Sequence, residues 1–323
     1  MLYDRIIKQG TINEPDGKPD PQFALPSTVN WMRALRMLAE NEGIDFRTAD
    51  AFYCRESKRN MDIRVENTVL EQLFLGLHHL SALEQFRGGA TGADYARVGI
   101  LAWYYGIANA ASAMTAAQSG SFQEDHAGTA RLWDEQIASR GLAMAPFCWR
   151  VSSLVEKTYK PQVEALRNGS SGKLQTRPTT KDDALGAAAG YLSGSAKWYA
   201  WKTEEDLRRN RAFKELGVDN FRSKAARSLR DQWLERKPVG FVHQAARYRG
   251  KANYREALFL AYGSGTETIL SGYVEDMHAV HKAFLAMAGA FAKRKLGKGL
   301  WSEFVTDVDA KKAFTTRASD IWT

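Results

Sequence analysis

Cysteine is nearly missing. Cys54 and Cys148 are the only two in 323 residues, and neither has a second cysteine or a histidine at metal-ligand spacing. A disulfide framework and a cysteine-rich zinc module are therefore excluded, and a reducing, cytoplasmic setting is expected. The first ten residues lack the apolar stretch of a secretory leader, so export is not expected. Long hydrophobic runs are also scarce. Residues 98–117 (VGILAWYYGIANAASAMTAA) form a stretch of twenty without a charge. Their Ala, Gly, Asn, Ser and Thr content and the missing anchors at either end favour a buried central helix over a membrane span.

What is present fits a folded, helical chain. Hydrophobic residues make up 44% and charged residues 25%, with nine Trp, twelve Tyr and fifteen Phe, more bulky apolar surface than disordered chains carry. Four of the eight prolines fall at 15, 19, 21 and 26, so residues 1–30 are expected to form an extended arm. From Val29 the periodicity turns helical, with Trp31, Leu35 and Leu38 on one face and Gly43 as terminator. Val69, Leu73, Leu77, Leu80 and Leu83 mark an amphipathic helix over 65–86.

Further helices are expected from 94 to a Gly/Ser break at 119–121, over 126–139, and over 151–167 with a break or kink at Pro161. Residues 31–168 thus read as an N-terminal helical bundle and 169–180 as a linker. Thr180 and Asp183 have the spacing of a capping box that starts a second helical half, 181–323. Within it, helices are expected near 181–201, 204–215, 220–235, 252–262, 266–295 and 301–314. Strand-like alternation is scarce; residues 147–151 and 239–242 suit short strands or turns equally. The fold class is all-α, a helical bundle in two halves.

Charge is unevenly spread. Residues 208–255 hold fourteen Lys or Arg against four acids, a surplus of ten in a chain whose whole net charge is +8. Such a concentration points to an anionic partner. Lys224, Arg227 and Arg230 are spaced to follow one helix face, beside Arg208, Arg209, Arg211 and Lys237. Arg247, Tyr248, Arg249, Lys251, Tyr254 and Arg255 mix cations with rings, which suits phosphate contact plus base stacking. Nucleic acid, RNA before DNA, is the expected partner; an acidic protein docked on the same face is the alternative.

Arg236 and His243 lie in the same segment and carry the residue types of metal-independent RNA cleavage: a histidine moves protons and an arginine steadies the charged phosphorane. His78 and His79 fall in an apolar helix and read as core or boundary residues. His278 and His281, with Glu275, have ligand-like spacing but no further ligand set, so no metal and no cofactor is expected. The run Gly169-Ser-Ser-Gly172-Lys173 is too short for a P-loop, and no dinucleotide fingerprint or serine elbow is found.

Residues 102–133 contain Tyr104-Tyr105-Gly106, a small-residue face through Ala113, and His126-Ala127-Gly128 after a loop. This stretch, about a tenth of the chain, resembles the HEPN superfamily, particularly its YaaC-like branch. The resemblance implies an all-helical bundle, a link to bacterial defence or stress systems, and sites often completed across a homodimer. It also implies, for the ribonucleases of that superfamily, an Arg and a His separated by four to six residues, a spacing that Arg236 and His243 match.

Overall fold

The computed structural model describes residues 5, 12, 21–87, 92–253, 258–261, 266–312 and 314–323. The first half runs through α1 (Pro21–Asn41), α2 (Phe46–Phe52), α3 (Ile63–Arg87), α4 (Gly92–Ser119), α5 (His126–Gln136) and α6 (Glu156–Arg167). The second runs through α7 (Lys181–Arg209), α8 (Arg211–Lys214), α9 (Lys224–Glu235) and α10 (Phe241–Asn253), then α11 (Leu258–Ala261) and α12 (Thr266–Leu270). It ends with α13 (Tyr273–Leu296), α14 (Lys298–Ala310) and α15 (Ser319–Trp322). The fold is all-α. Extended pairing among the described residues is one antiparallel bridge between Val151 and Val239, so the two doubtful strand segments meet but do not grow into a sheet.

The centre is a close-packed layer of α3, α4 and α13. The α3 stripe Val69, Leu73, Leu77, Leu80 and Leu83 is fully buried. Most of the charge-free stretch of α4 is buried between its neighbours, and no described helix is long and apolar enough to cross a membrane. Small residues allow this close approach: a Cβ on Gly76 would stand 3.0 Å from the Leu285 side chain, and one on Gly99 would stand 2.7 Å from the end of the Met277 side chain.

Around this layer, α1, α7 and α10 are joined to α4 by aromatic rings. Trp31 stacks on Tyr191 at 4.1 Å and meets Trp103 edge-on at 5.8 Å, and Trp103 meets Tyr248 at 5.4 Å. Buried aromatic pairs of this kind add about 0.5–1.5 kcal/mol beyond their area. The two halves therefore share one core. The Trp and Tyr rings fill the space between them.

Three expectations need correcting. Residues 21–30, expected in the extended arm, belong to α1, whose first residue is Pro21 and whose interior holds Pro26. Proline suits the first helical position, since its missing amide would have no partner there, and Pro26 gives up one bond close to the helix start. Of the rest of the arm, all but two residues lie outside the described residues. The linker at 169–180 is tied to its surroundings. Ser170 Oγ donates to Asp182 O at 2.6 Å, Arg167 donates to Gly172 O at 3.0 Å, and Asn30 donates to Leu174 O at 2.8 Å. Finally, α7 runs unbroken to Arg209, because nothing at 202–203 stops a helix. Its start is the expected capping box: Thr180 accepts from Asp183 N while the Asp183 carboxylate accepts from Thr180 N.

Candidate functional site

The basic segment divides into an outer and an inner part. The outer part wraps a small satellite core of Leu207, Phe213 and Ala226, with Val218, Phe221, Leu229 and Trp233 packed against it. Apolar residues at 207, 213, 226 and 229 draw α7, α8 and α9 together and leave their cations outside. Arg208, Arg211 and Arg230 are neutralised by Glu205, Glu215 and the pair Glu204 and Asp231. The Arg208 and Arg230 guanidinium groups also lie over the Phe221 ring, at 5.1 and 6.0 Å. The expected row along α9 thus loses Arg230 to intrachain pairing.

Seven cations remain: Arg209, Lys214, Arg222, Lys224, Arg227, Arg236 and Lys237 are all exposed, with no carboxylate at ion-pair distance among the described residues. Two indole rings accompany them. Trp201 on α7 is 55% exposed, and Lys237 lies over Trp233 at 5.9 Å.

The inner part lies on α10, a helix that begins at Phe241, eleven residues earlier than expected. Its apolar positions Phe241, Val242, Ala245, Tyr248 and Ala252 face the core, and this carries the intervening cations inward. Tyr248 is fully buried and donates to Thr28 O at 2.7 Å, so it is closed to a base. Lys251 is buried and donates to Ser27 Oγ at 2.7 Å. Arg247 donates to Ser195 Oγ at 3.0 Å and lies over Tyr191 and Trp198. Tyr254 and Arg255 lie outside the described residues.

No hydrogen bond, ion pair or ring contact joins Arg236 to His243 among the described residues. Arg236 is exposed at the end of α9, whereas His243 sits in the first turn of α10, partly buried beneath Tyr199. The Tyr199 hydroxyl donates to His243 O at 2.9 Å, and His243 Nδ1 receives Gly240 N at 3.3 Å. Burial pushes the His243 pKa down to about 4; the nearby Asp134 carboxylate works against this and Arg150 with it. The ring is neutral near pH 7 and is fixed by packing.

His278 and His281 also part. His278 pairs with Glu84 at 2.9 Å, and His281 is fully buried against Gly106 with both ring nitrogens unpartnered. Among the described residues no group of three or more His, Cys, Asp or Glu is placed to hold a metal ion. A groove of about 290 Å³, lined by Leu70, Phe74, Phe304, Val308 and three charged side chains, contains no histidine, cysteine or serine.

These histidines make an acid-sensitive core. His79, His243 and His278 are each held near pKa 4 by burial, and His281 lies well below its ordinary value for the same reason. Each takes up a proton more readily when the chain unfolds, so stability is full above about pH 6.5 and falls as pH drops towards 4. The expected loss between pH 7 and 4.5 is on the order of 3 kcal/mol after allowing for solvent screening. Melting temperatures across that range check it; a flat profile would contradict the burial of these rings.

One cluster has no signal in sequence spacing. Arg249 on α10 and His126 at the start of α5, 123 positions apart, are hydrogen-bonded through Arg249 Nη1 and His126 Nε2. The guanidinium lies 5.2 Å from the Tyr104 ring centre, and Tyr105, 38% exposed, has its ring 5.8 Å from that of His126. His79 stacks on Tyr105 at 6.0 Å. The antiparallel course of α5 and α10 makes the meeting: Gly240 stands beside Asp134 at one end, and Arg249 reaches His126 at the other.

No family model, curated protein or solved structure matches the chain.

Proposed function

We propose that the protein binds single-stranded nucleic acid, RNA in preference to DNA, through the outer face of α7, α8 and α9. The observation that carries this reading is the set of seven exposed Lys and Arg without carboxylate partners around the satellite core. Three carboxylates of the same surface, Asp206, Asp219 and Glu235, are also free of ion pairs, so the face keeps a clear positive excess. Phosphate backbones are held by cations of this kind, which displace condensed counterions without needing fixed geometry. Trp201 adds an accessible ring on which an unpaired base can stack, and RNA loops and single strands present such bases.

Fluorescence anisotropy with labelled single-stranded RNA, duplex RNA and single-stranded DNA tests this. Saturable binding, strongest for single-stranded RNA, unaffected by a chelator and displaced by excess unlabelled polynucleotide, is expected. Absence of binding to all three at low salt would reject the reading and leave an acidic protein as the partner of this face.

A further inference from the structure

Among the described residues Arg249 is a half-buried cation without a counter-ion. No carboxylate lies at ion-pair distance among the described residues, and its Nε is buried with no hydrogen-bond partner. Its one polar partner among the described residues is the His126 ring. Because a guanidinium only donates, His126 Nε2 accepts, and the ring is the neutral tautomer with its proton on Nδ1. The remaining neighbours, the Tyr104 ring face and the exposed Tyr105, are neutral too. Asp125 keeps its charge, which reaches both His126 and Tyr104, but it caps α5, accepting from Gly128 N at 2.8 Å, and forms no ion pair with Arg249.

Taking a cation partly out of water with no carboxylate at ion-pair distance is unfavourable unless an anion completes the site. Arginine is the side chain best matched to an oxyanion, because its planar fork presents parallel N–H groups to two oxygens at once. A His126 Nδ1–H and a Tyr105 hydroxyl add donors of the kind that the further oxygens of a tetrahedral group require. We propose that Arg249, His126 and Tyr105 form a binding site for a phosphoryl group. None of these residues belongs to the outer basic face, and the proposal does not depend on nucleic-acid binding there.

The test is titration of the full chain with inorganic phosphate and with adenosine monophosphate, against chloride at equal ionic strength. It is followed by calorimetry and by the ring ¹⁵N resonances of His126. Saturable binding that moves the His126 resonances is expected, as is an affinity loss of about tenfold or more in Arg249→Gln. Lys157→Gln, an exposed residue of α6 outside both sites, should bind phosphate as the parent does. Tighter binding of the nucleotide than of phosphate identifies a nucleotide ligand, and equal affinities identify free phosphate; both support the site. Should Arg249→Gln fail to fold, the wild-type His126 resonances and Tyr105→Phe decide the matter. No saturable binding of either anion, or undiminished binding by folded Arg249→Gln, overturns the proposal and leaves Arg249 as a packing residue.

Discussion

Exchanging Arg222, Lys224 and Arg227 together for glutamate is expected to weaken binding of single-stranded RNA about 100-fold, or about 2.7 kcal/mol. The melting temperature should stay within a few degrees of the parent. All three side chains are exposed and free of ion pairs, so no intrachain interaction is lost. Lys224 is the first residue of α9, where a glutamate interacts favourably with the helix dipole, offsetting the like-charge neighbour that Arg227→Glu gives Asp231. Reversal repels the phosphates that the wild-type residues attract, which is why the effect exceeds that of alanine substitution. As a contrast, reversing Arg208 or Arg230 should cost stability as well, since each is tied to a carboxylate and lies over Phe221. Anisotropy titrations and thermal melts of the two groups of variants separate a binding face from a structural one; equal affinity in the triple variant would rule out this face.

Gly106→Ala is expected to destabilise the protein by about 3 kcal/mol, lowering the melting temperature by roughly 4–5 °C. A Cβ at this position would lie 1.9 Å from Cε1 and 2.2 Å from Nε2 of His281, a fully buried ring between α4 and α13. Such a distance cannot be absorbed by small shifts, and His281 cannot swing to solvent. The helices must separate or the ring must leave its rotamer. Ordinary helix propensity predicts the opposite sign, because alanine is better than glycine in a helix interior. A melting temperature equal to or above that of the parent would mean that the contact is not as close as described.

The helices that sequence made legible were those whose pattern and punctuation agreed. The α3 stripe, Gly43 with its left-handed φ of 61°, and the Thr180 and Asp183 capping box all act locally, so their geometry can be read from spacing. Helix α10 was missed although Phe241, Val242, Ala245, Tyr248 and Ala252 have helical spacing. Three cations and Gly250 interrupt that stripe, and basic residues between apolar ones read as surface. Charge composition reports how many cations a segment holds and is silent on which of them face inward. That is why Lys224 and Arg227 proved exposed whereas Tyr248 and Lys251 belong to the core. The meeting of Arg249 with His126 depends on the antiparallel packing of α5 and α10, a tertiary fact that no local rule contains.

The most direct test of the central claim is the salt dependence of RNA binding. If the seven cations of the outer face that lack carboxylate partners each engage a phosphate, log Kd plotted against log salt should have a slope of about 5 for single strands. The triple reversal of Arg222, Lys224 and Arg227 should reduce that slope by about 2 or more. A slope near zero, or one that the triple variant leaves unchanged, would contradict a phosphate-binding role for α7, α8 and α9.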